Sequence, residues 1–360
     1  MKVLFLTQST ESGPASRYRV YQYIDYLNQN NIECTISSAL PKTCYKLFYQ
    51  SADIWKKILL LPVIFLRRLR DMFRVKNYDI VFIQREILAQ CFPLFETIIS
   101  KLNKKIIFDF DDAIFLIPPQ RNKRLYVFRD KKAIERIIKL SAQIIAGNDY
   151  LKQYAQQFSD HVSVIPTAVD TRKWKKADKI SDKENIDNKK IIIGWIGTRH
   201  NLFYLESLKS VLEKLSLEYD ICLHVISDAD FEINNVEVKN IAWNMDTEVE
   251  QVGKFDIGIA PLFEDDWAKG KCGLKALQYM ACSVATVCSA AGEYNQIVED
   301  GQNGFLASND AEWIEKLARL INDPSLRENL GKAGRKTIEA KYSLEINQLK
   351  LKKIIERLKQ

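Results

Sequence analysis

Lys190-Ile191-Ile192-Ile193-Gly194-Trp195-Ile196-Gly197-Thr198-Arg199-His200-Asn201 is the stretch on which the fold turns. Lys190–Ile196 is a β-rich apolar run and reads as a strand. Gly197-Thr198 ends it, and Leu202–Leu215 places apolar residues at helical spacing. A strand, a glycine turn and a helix make one βα unit. Such units build parallel sheets covered on both faces. The alternation continues through strands predicted at Ile221–Ile226, Val236–Ile241, Ile257–Ala260, Ala285–Cys288 and Gly304–Leu306. Helices are predicted at Thr247–Val252, Leu274–Cys282, Ala311–Ile321 and Pro324–Lys341, and at Leu344–Leu358 behind Ser343 as its cap. The first half follows the same scheme less regularly. Its strands are predicted at Lys2–Thr7, Tyr78–Ile83, Lys105–Phe110, Gln143–Ala146 and Ser163–Ile165. Its helices are predicted at Arg17–Asn28, Lys131–Ser141 and Tyr150–Phe158.

The chain has 360 residues, enough for two such domains. With 47% apolar and 28% charged residues it is an ordinary globular sequence, and disorder over most of it is excluded. No apolar run reaches the roughly 18 residues of a membrane span. The seven cysteines form no CxxC pair, and the histidines are His161, His200 and His224 only, so neither a zinc site nor a disulfide framework is expected. The first ten residues read as a buried strand rather than a signal sequence, which makes a reduced, cytoplasmic setting the default expectation.

Charge is uneven. Residues 1–180 hold 30 Lys and Arg against 17 Asp and Glu, while residues 181–360 hold 23 against 29. Only Gly13 and Gly147 of the 13 glycines lie in the first half. Residues 175–190 contain ten charged and three apolar residues, the composition of a solvated linker. Within the basic half, Ile54–Lys76 runs nine apolar residues together at Ile58–Leu66 and carries seven Lys and Arg against one acid. It reads as a basic amphipathic element at a membrane surface, or as a core helix with basic flanks; Pro62 is expected to interrupt it. No RRM, KH, helix-turn-helix or zinc signature is present, and nucleic acid is not an expected partner.

Ligands of doubly wound domains bind at the carboxyl ends of the strands. Three stretches fall there. Gly197-Thr198-Arg199 opens a helix with Thr198 or Asn201 as its cap and Arg199 as a cation, which suits a phosphate; a plain strand-to-helix turn explains it equally. Gly270-Lys271-Cys272-Gly273-Leu274-Lys275 opens another helix, with Lys269, Lys271 and Lys275 close to its start. Cations there oppose the helix dipole, and a bound diphosphate would relieve the conflict; a solvated basic face is the alternative. Asp109-Phe110-Asp111-Asp112 ends a strand and offers carboxylates for a metal, for sugar hydroxyls or for a base, or simply a cap and acidic first turn. Cys272 has no histidine partner in the sequence and reads as a packing residue.

Several segments resemble the large retaining glycosyltransferase family 4 (group 1), of GT-B fold. Ile165–Asp170 resembles its connection between domains. Gly273–Ala281, Val284–Val287, Gly292 and Ile297–Leu306 resemble its donor-binding run, and Pro324–Arg335 with Tyr342-Ser343 its closing helices. Gly13-Pro14-Ala15-Ser16-Arg17 stands where the family has its first cleft loop. The resemblance implies an α/β chain of two Rossmann-like doubly wound domains facing a cleft. The first, residues 1–170, would take the acceptor, with the helix at about 344–360 packing back on it. The second, residues 171–343, would take the donor. The family's two glutamates, eight positions apart, correspond here to Gly270 and Gln278. Gln278 can still bond a ribose hydroxyl. Gly270 cannot replace a carboxylate, for which Glu264, Asp265 and Asp266 are the neighbouring substitutes.

The resemblance further implies a metal-independent, retaining transfer of a sugar from a nucleotide sugar to a glycan or lipid-linked acceptor, in cell-surface polysaccharide or lipopolysaccharide synthesis. The expected catalytic residues are Asp111, Asp112, Lys271 and Lys275. The expected donor residues are Gly197, Thr198, Arg199, Trp243, Cys272, Gly273, Leu274, Gln278 and Glu293, with the nucleobase near Val225–Ser227 or Ile241–Trp243. Gly13 and Arg17 would serve the acceptor side. No cofactor or metal is expected, and the basic half suggests an anionic membrane as a further partner. A UDP-sugar epimerase of the same fold and a non-catalytic partner of another transferase are the alternatives.

Overall fold

Each half of the chain winds its strands outward from a central pair in both directions. Residues 1–44, 47, 54–88, 92–118, 130–176 and 190–359 are described in the computed structural model of the chain. They divide into two compact units. Unit 1 holds Met1–Ala168, Gly270–Cys272 and Leu344–Gln360; unit 2 holds Val169–Lys269 and Gly273–Ser343. Most of the charged stretch at 175–190 lies outside the described residues.

Unit 1 runs β1 (Lys2–Thr7), α1 (Pro14–Arg19), α2 (Ile24–Gln29), β2 (Glu33–Ser38), α3 (Ile54–Arg74), β3 (Ile80–Gln84), α4 (Leu94–Leu102), β4 (Ile106–Phe110), α5 (Ala133–Leu140), β5 (Gln143–Ala146), α6 (Asp149–Gln156) and β6 (Val162–Val164). The sheet order is β2-β1-β3-β4-β5-β6, all parallel. The chain therefore reverses its direction of winding between β1 and β3.

Unit 2 runs β7 (Ile191–Ile196), α7 (Leu202–Glu206), α8 (Lys209–Ser216), β8 (Ile221–Ser227), β9 (Glu237–Ala242), α9 (Glu248–Gly253), β10 (Ile257–Ala260), α10 (Asp266–Lys269), α11 (Leu274–Ala281), β11 (Ala285–Ser289), α12 (Tyr294–Ile297), β12 (Phe305–Ala307), α13 (Asp310–Asn322) and α14 (Pro324–Thr337). Its order is β12-β11-β10-β7-β8-β9, with the reversal between β10 and β7. The last helix, α15 (Leu344–Arg357), returns to unit 1, where Leu344, Leu351 and Ile355 pack with Val3 and Phe5 of β1.

Apolar strands bury both faces: every residue of β3, β4, β8, β10 and β11 is buried. Three helices start on side-chain caps that the sequence spells out. Asn148 accepts from Leu151 N at 2.9 Å, Asn309 from Glu312 N at 3.0 Å and Asp323 from Leu326 N at 2.9 Å.

Four expectations need correction. Arg17–Asn28 is not one helix: α1 ends at Arg19, a 3-10 turn covers Tyr21–Tyr23, and α2 follows. Leu202–Leu215 is likewise broken between α7 and α8. Pro324–Lys341 stops at Thr337 and passes into a π turn over Ile338–Tyr342. Pro62, in contrast, does not interrupt α3, which runs through it for 21 residues. A helix interior accommodates proline when packing along the buried face outweighs the one lost hydrogen bond.

Candidate functional site

In a doubly wound sheet the crevice for a ligand opens where the strand order reverses. In unit 2 that is the gap at the carboxyl ends of β7 and β10. The pairing of these strands ends early, at Gly258↔Gly194. Tyr279 of α11 fills the gap. Its hydroxyl accepts from Ile196 N at 3.0 Å and donates to Ile259 O at 3.2 Å, so α11 is tied to both strands at the reversal. Burial drives the phenol pKa far up, which keeps the hydroxyl a donor at any physiological pH. Gly258 makes the arrangement possible, because a Cβ there would stand 2.6 Å from the Tyr279 ring.

Helix α11 begins in this crevice. Gly273 is its N-cap, in the left-handed region at φ 67°, where a side chain would be strained. The first amides of a helix lack intrahelical acceptors and favour an anion. Lys275 lies in the first turn, its ammonium 5.3 Å from the centroid of the buried Trp195 ring of β7. Gln278 is buried one turn further along. Glu293 is the N-cap residue of α12 and makes no side-chain capping bond. Gly273, Leu274, Lys275 and Gln278 thus share one helix start at the reversal.

The loop after β7 is less open than the sequence suggested. Gly197 N donates to Ile226 O at 3.0 Å, so that amide is already engaged. Neither Thr198 nor Asn201 caps a helix through its side chain; Asn201 donates instead to Thr198 Oγ1 at 3.2 Å. Arg199 is held by Asp228, through Nε to Oδ2 at 2.8 Å and Nη2 to the main-chain oxygen at 2.7 Å, while its own amide donates to Oδ1 at 2.6 Å. The guanidinium thus braces the loop through that carboxylate. Trp243 is likewise committed, Nε1 donating to Glu248 at 2.8 Å. Ser227, at the end of β8, is buried, and its hydroxyl has no hydrogen-bond partner among the described residues.

The three lysines do not simply oppose the α11 dipole. Lys269 pairs with Asp266 at 2.9 Å, and Lys271 lies in unit 1, 3.7 Å from Asp112. Asp265 accepts from Ala268 N at 2.7 Å, which places it at the start of α10.

Unit 1 builds its own charged cluster where β3 and β4 end. Asp109 is not a cleft carboxylate. It is buried in β4 and bound by Arg19 of α1, whose Nε reaches its two oxygens at 3.1 and 3.2 Å, while Nη1 donates to Ile165 O at 2.6 Å. Asp111 and Asp112 are bridged by Arg85, with Nε to Asp111 at 2.7 Å and Nη2 to Asp112 at 3.3 Å. Burial alone would raise the Asp111 pKa. The Arg85 guanidinium, helped by Arg19, outweighs it and holds the carboxyl below the usual range. A carboxylate so paired is a poor general base and a good strut. Arg85 adopts φ 59°, and its amide donates to Asp109 O at 2.8 Å.

Gly270–Cys272 completes this cluster. The Cys272 thiol donates to Asp111 O at 3.2 Å, and Asn148 donates to Lys271 O at 3.3 Å. A Cβ on Gly270 would stand 2.5 Å from Ala113 Cβ and 2.7 Å from Ala113 N. Position 270 is therefore closed to any side chain, a glutamate included. Gly13 is the N-cap residue of α1, and Arg17 lies over the Tyr18 ring at 4.9 Å, both beside the β1–β3 reversal of unit 1. Arg85 and Asp228 escaped the sequence reading, since neither belongs to a recognisable motif and each acts through a distant partner; Tyr279 lies within the Gly273–Ala281 run, but its tie to β7 and β10 has no signature in sequence.

Residues 262–337 match the model of the family described as glycosyl transferases group 1. An uncharacterized glycosyltransferase of Methanocaldococcus jannaschii is 27% identical over 263 residues, spanning 64% of this chain and 71% of the relative. The alpha-maltose-1-phosphate synthase of Mycolicibacterium smegmatis is 23% identical over 243 residues, spanning 59% of this chain and 60% of its own. Among solved structures, sucrose-phosphate synthase from Thermosynechococcus elongatus is similar with a TM-score of 0.74 at 14% identity, over 99% of each chain. The Anabaena protein HepE, solved with UDP and glucose, is similar with a TM-score of 0.66 at 14% identity, again over 99% of each. These likenesses show the fold, which is GT-B. In its matched segment this chain is similar to the group 1 glycosyl transferases, and its fold is GT-B.

Proposed function

We propose that this chain is a glycosyltransferase that moves a sugar from a nucleotide-sugar donor to a glycan or lipid-linked acceptor, with retention and without a metal ion. The reading extends to cell-surface polysaccharide or lipopolysaccharide synthesis at the cytoplasmic face of a membrane. The observation that carries it is the start of α11: Gly273 in the left-handed region and Lys275 in the first turn, fixed by Tyr279 at the strand reversal, inside the segment that matches the family. Donor use is supported by what the neighbours hold. HepE was solved with UDP and with UDP-glucose, and starch synthase IV of Arabidopsis thaliana with ADP and acarbose.

In this reading the amides of Leu274 and Lys275 and the Lys275 ammonium receive the negative charge that grows on the leaving diphosphate. Preorganised donors of this kind are worth about 3 kcal/mol each. Gln278 bonds a ribose hydroxyl, Glu293 faces the sugar, and the orphan hydroxyl of Ser227 supports placing the nucleobase at the end of β8. Retention follows from attack on the face the diphosphate leaves, with a donor phosphate oxygen taking the acceptor proton. Asp111, Asp112 and Lys271 then shape the acceptor side as a paired charge cluster.

A second reading, a non-catalytic sugar-nucleotide-binding partner of another transferase, is favoured by one observation, the closure of position 270 to a carboxylate. The test is incubation with UDP-, GDP- and ADP-sugars in EDTA, reading nucleoside diphosphate release and the anomeric configuration of any product by NMR. EDTA-resistant release with a retained anomer supports the proposal. Nucleotide binding without release favours the second reading, and neither binding nor release contradicts both.

A further inference from the structure

Helix α3 buries Leu60 and Ile64 in its first half. In its second half the same face holds Arg68 and Asp71, an ion pair at 3.2 Å with both side chains 1% exposed. Arg68 donates to Thr7 O at 2.6 Å and Ser37 O at 3.1 Å, and the Ser37 hydroxyl donates to Asp71 at 2.7 Å. Its outer face holds large apolar side chains. Trp55 is 71% exposed, Leu59 74%, Leu66 63% and Phe73 76%. At 3.6 residues per turn, Trp55, Leu59, Leu66 and Phe73 fall within an arc of about 40°. The outer face of a surface helix is normally polar. Isolated exposed leucines need no explanation, but a stripe along a whole helix marks an interaction surface.

Charge identifies the occupant. Arg67, Arg70 and Arg74 follow one edge of the stripe, and Lys76 is exposed just beyond it. The segment Ile54–Lys76 carries seven basic residues against one acid, and that acid is the buried Asp71. An apolar stripe with a basic border matches an anionic lipid surface, where acyl chains take the stripe and headgroups the cations. A second protein copy would bring the same positive border against this one. No helix among the described residues is long and apolar enough to cross a membrane, so α3 would lie along the surface.

We infer that the outer face of α3 docks this protein on an anionic membrane, with Trp55, Leu59, Leu66 and Phe73 entering the headgroup layer. This rests on unit 1 alone and is independent of the donor site. The test is co-sedimentation of the full chain with vesicles of phosphatidylglycerol and phosphatidylcholine, and with phosphatidylcholine alone, at low and high salt. Binding should favour the anionic vesicles by about tenfold or more and weaken with salt. The variant L59Q/L66Q/F73Q should lose at least about tenfold in binding, and R70Q/K76Q should lose about fivefold per charge on anionic vesicles only. These positions are exposed, so the variants should keep the wild-type melting temperature and any nucleotide response. Equal binding to both vesicle types, or wild-type binding by the triple variant, would overturn the inference. So would absence of vesicle binding together with a dimer that the triple variant dissociates, which would assign the face to a second copy.

Discussion

Units 1 and 2 share a winding scheme but finish their strand reversals with different chemistry. Unit 1 closes its carboxyl edge with ion pairs: Arg19 with Asp109, Arg85 with Asp111 and Asp112, Lys271 with Asp112. Unit 2 holds one ion pair, Arg199 with Asp228, in the loop after β7, and fills the reversal itself with glycine and aromatic residues, Tyr279 between β7 and β10 and Trp195 beneath Lys275. The difference separates two tasks. A cluster whose charges are already matched is rigid and has little left to offer an anion. A helix start whose first amides lack intrahelical acceptors, with one lysine over an aromatic ring, favours one.

Breaking the largest pair tests this first. Arg19→Met leaves Asp109 buried without a counter-charge and should cost about 3–5 kcal/mol in urea unfolding. The double variant R19M/D109L should recover most of that loss. A small effect of the single change would mean that the pair does not brace unit 1.

Lys275→Ala should act on chemistry rather than stability. Turnover should fall by about a hundredfold or more, with unfolding within about 1 kcal/mol of wild type. Unchanged turnover would remove Lys275 from the diphosphate site. In the same assay Lys271→Ala should lower turnover less, since its partner is Asp112.

Tyr279→Phe should sit between these cases. It strips Ile196 N of its acceptor and Ile259 O of a donor, costing about 1–3 kcal/mol, and it should also weaken nucleotide binding by loosening α11. Stability loss without any change in nucleotide binding would show that the tie does not position the helix start.

The smallest effect is a pH dependence. The folded pKa of Asp111 is depressed, by Arg85 against the effect of burial. Its contribution is therefore fully present above its ordinary value of 3.8 and is lost as pH falls through the lower folded value. Asp111→Asn should flatten the acid limb of the stability curve there and leave neutral-pH melting little changed in slope. An identical acid limb would contradict the pairing.

The α/β alternation was legible because Ile-rich strands such as Ile106–Phe110 and Ile257–Ala260 contrast with charged helices such as Asp310–Asn322. β2 escaped because Glu33–Ser38 is a polar edge strand, without the apolar run of a central one. α4 escaped because nothing in Leu94–Leu102 distinguishes a helix from a buried strand until its neighbours are known. The helix start at Gly273 was legible as a glycine with a nearby lysine. Its context was not. The Arg19–Asp109 and Arg199–Asp228 pairs join residues 90 and 29 positions apart, and spacing carries no sign of them. Gly270 reads as a missing carboxylate in the sequence; only the approach of Ala113 shows it to be a packing requirement.

In the proposed function α11 begins a nucleoside diphosphate site. Its most direct test is the thermal stability of wild type and Lys275→Ala with UDP, GDP and ADP in EDTA. At 100 times its dissociation constant a bound nucleotide should add about 2.7 kcal/mol. The melting temperature should rise with one nucleoside diphosphate, and Lys275→Ala should lose that rise. No rise with any nucleotide, or the same rise in both proteins, would contradict that site.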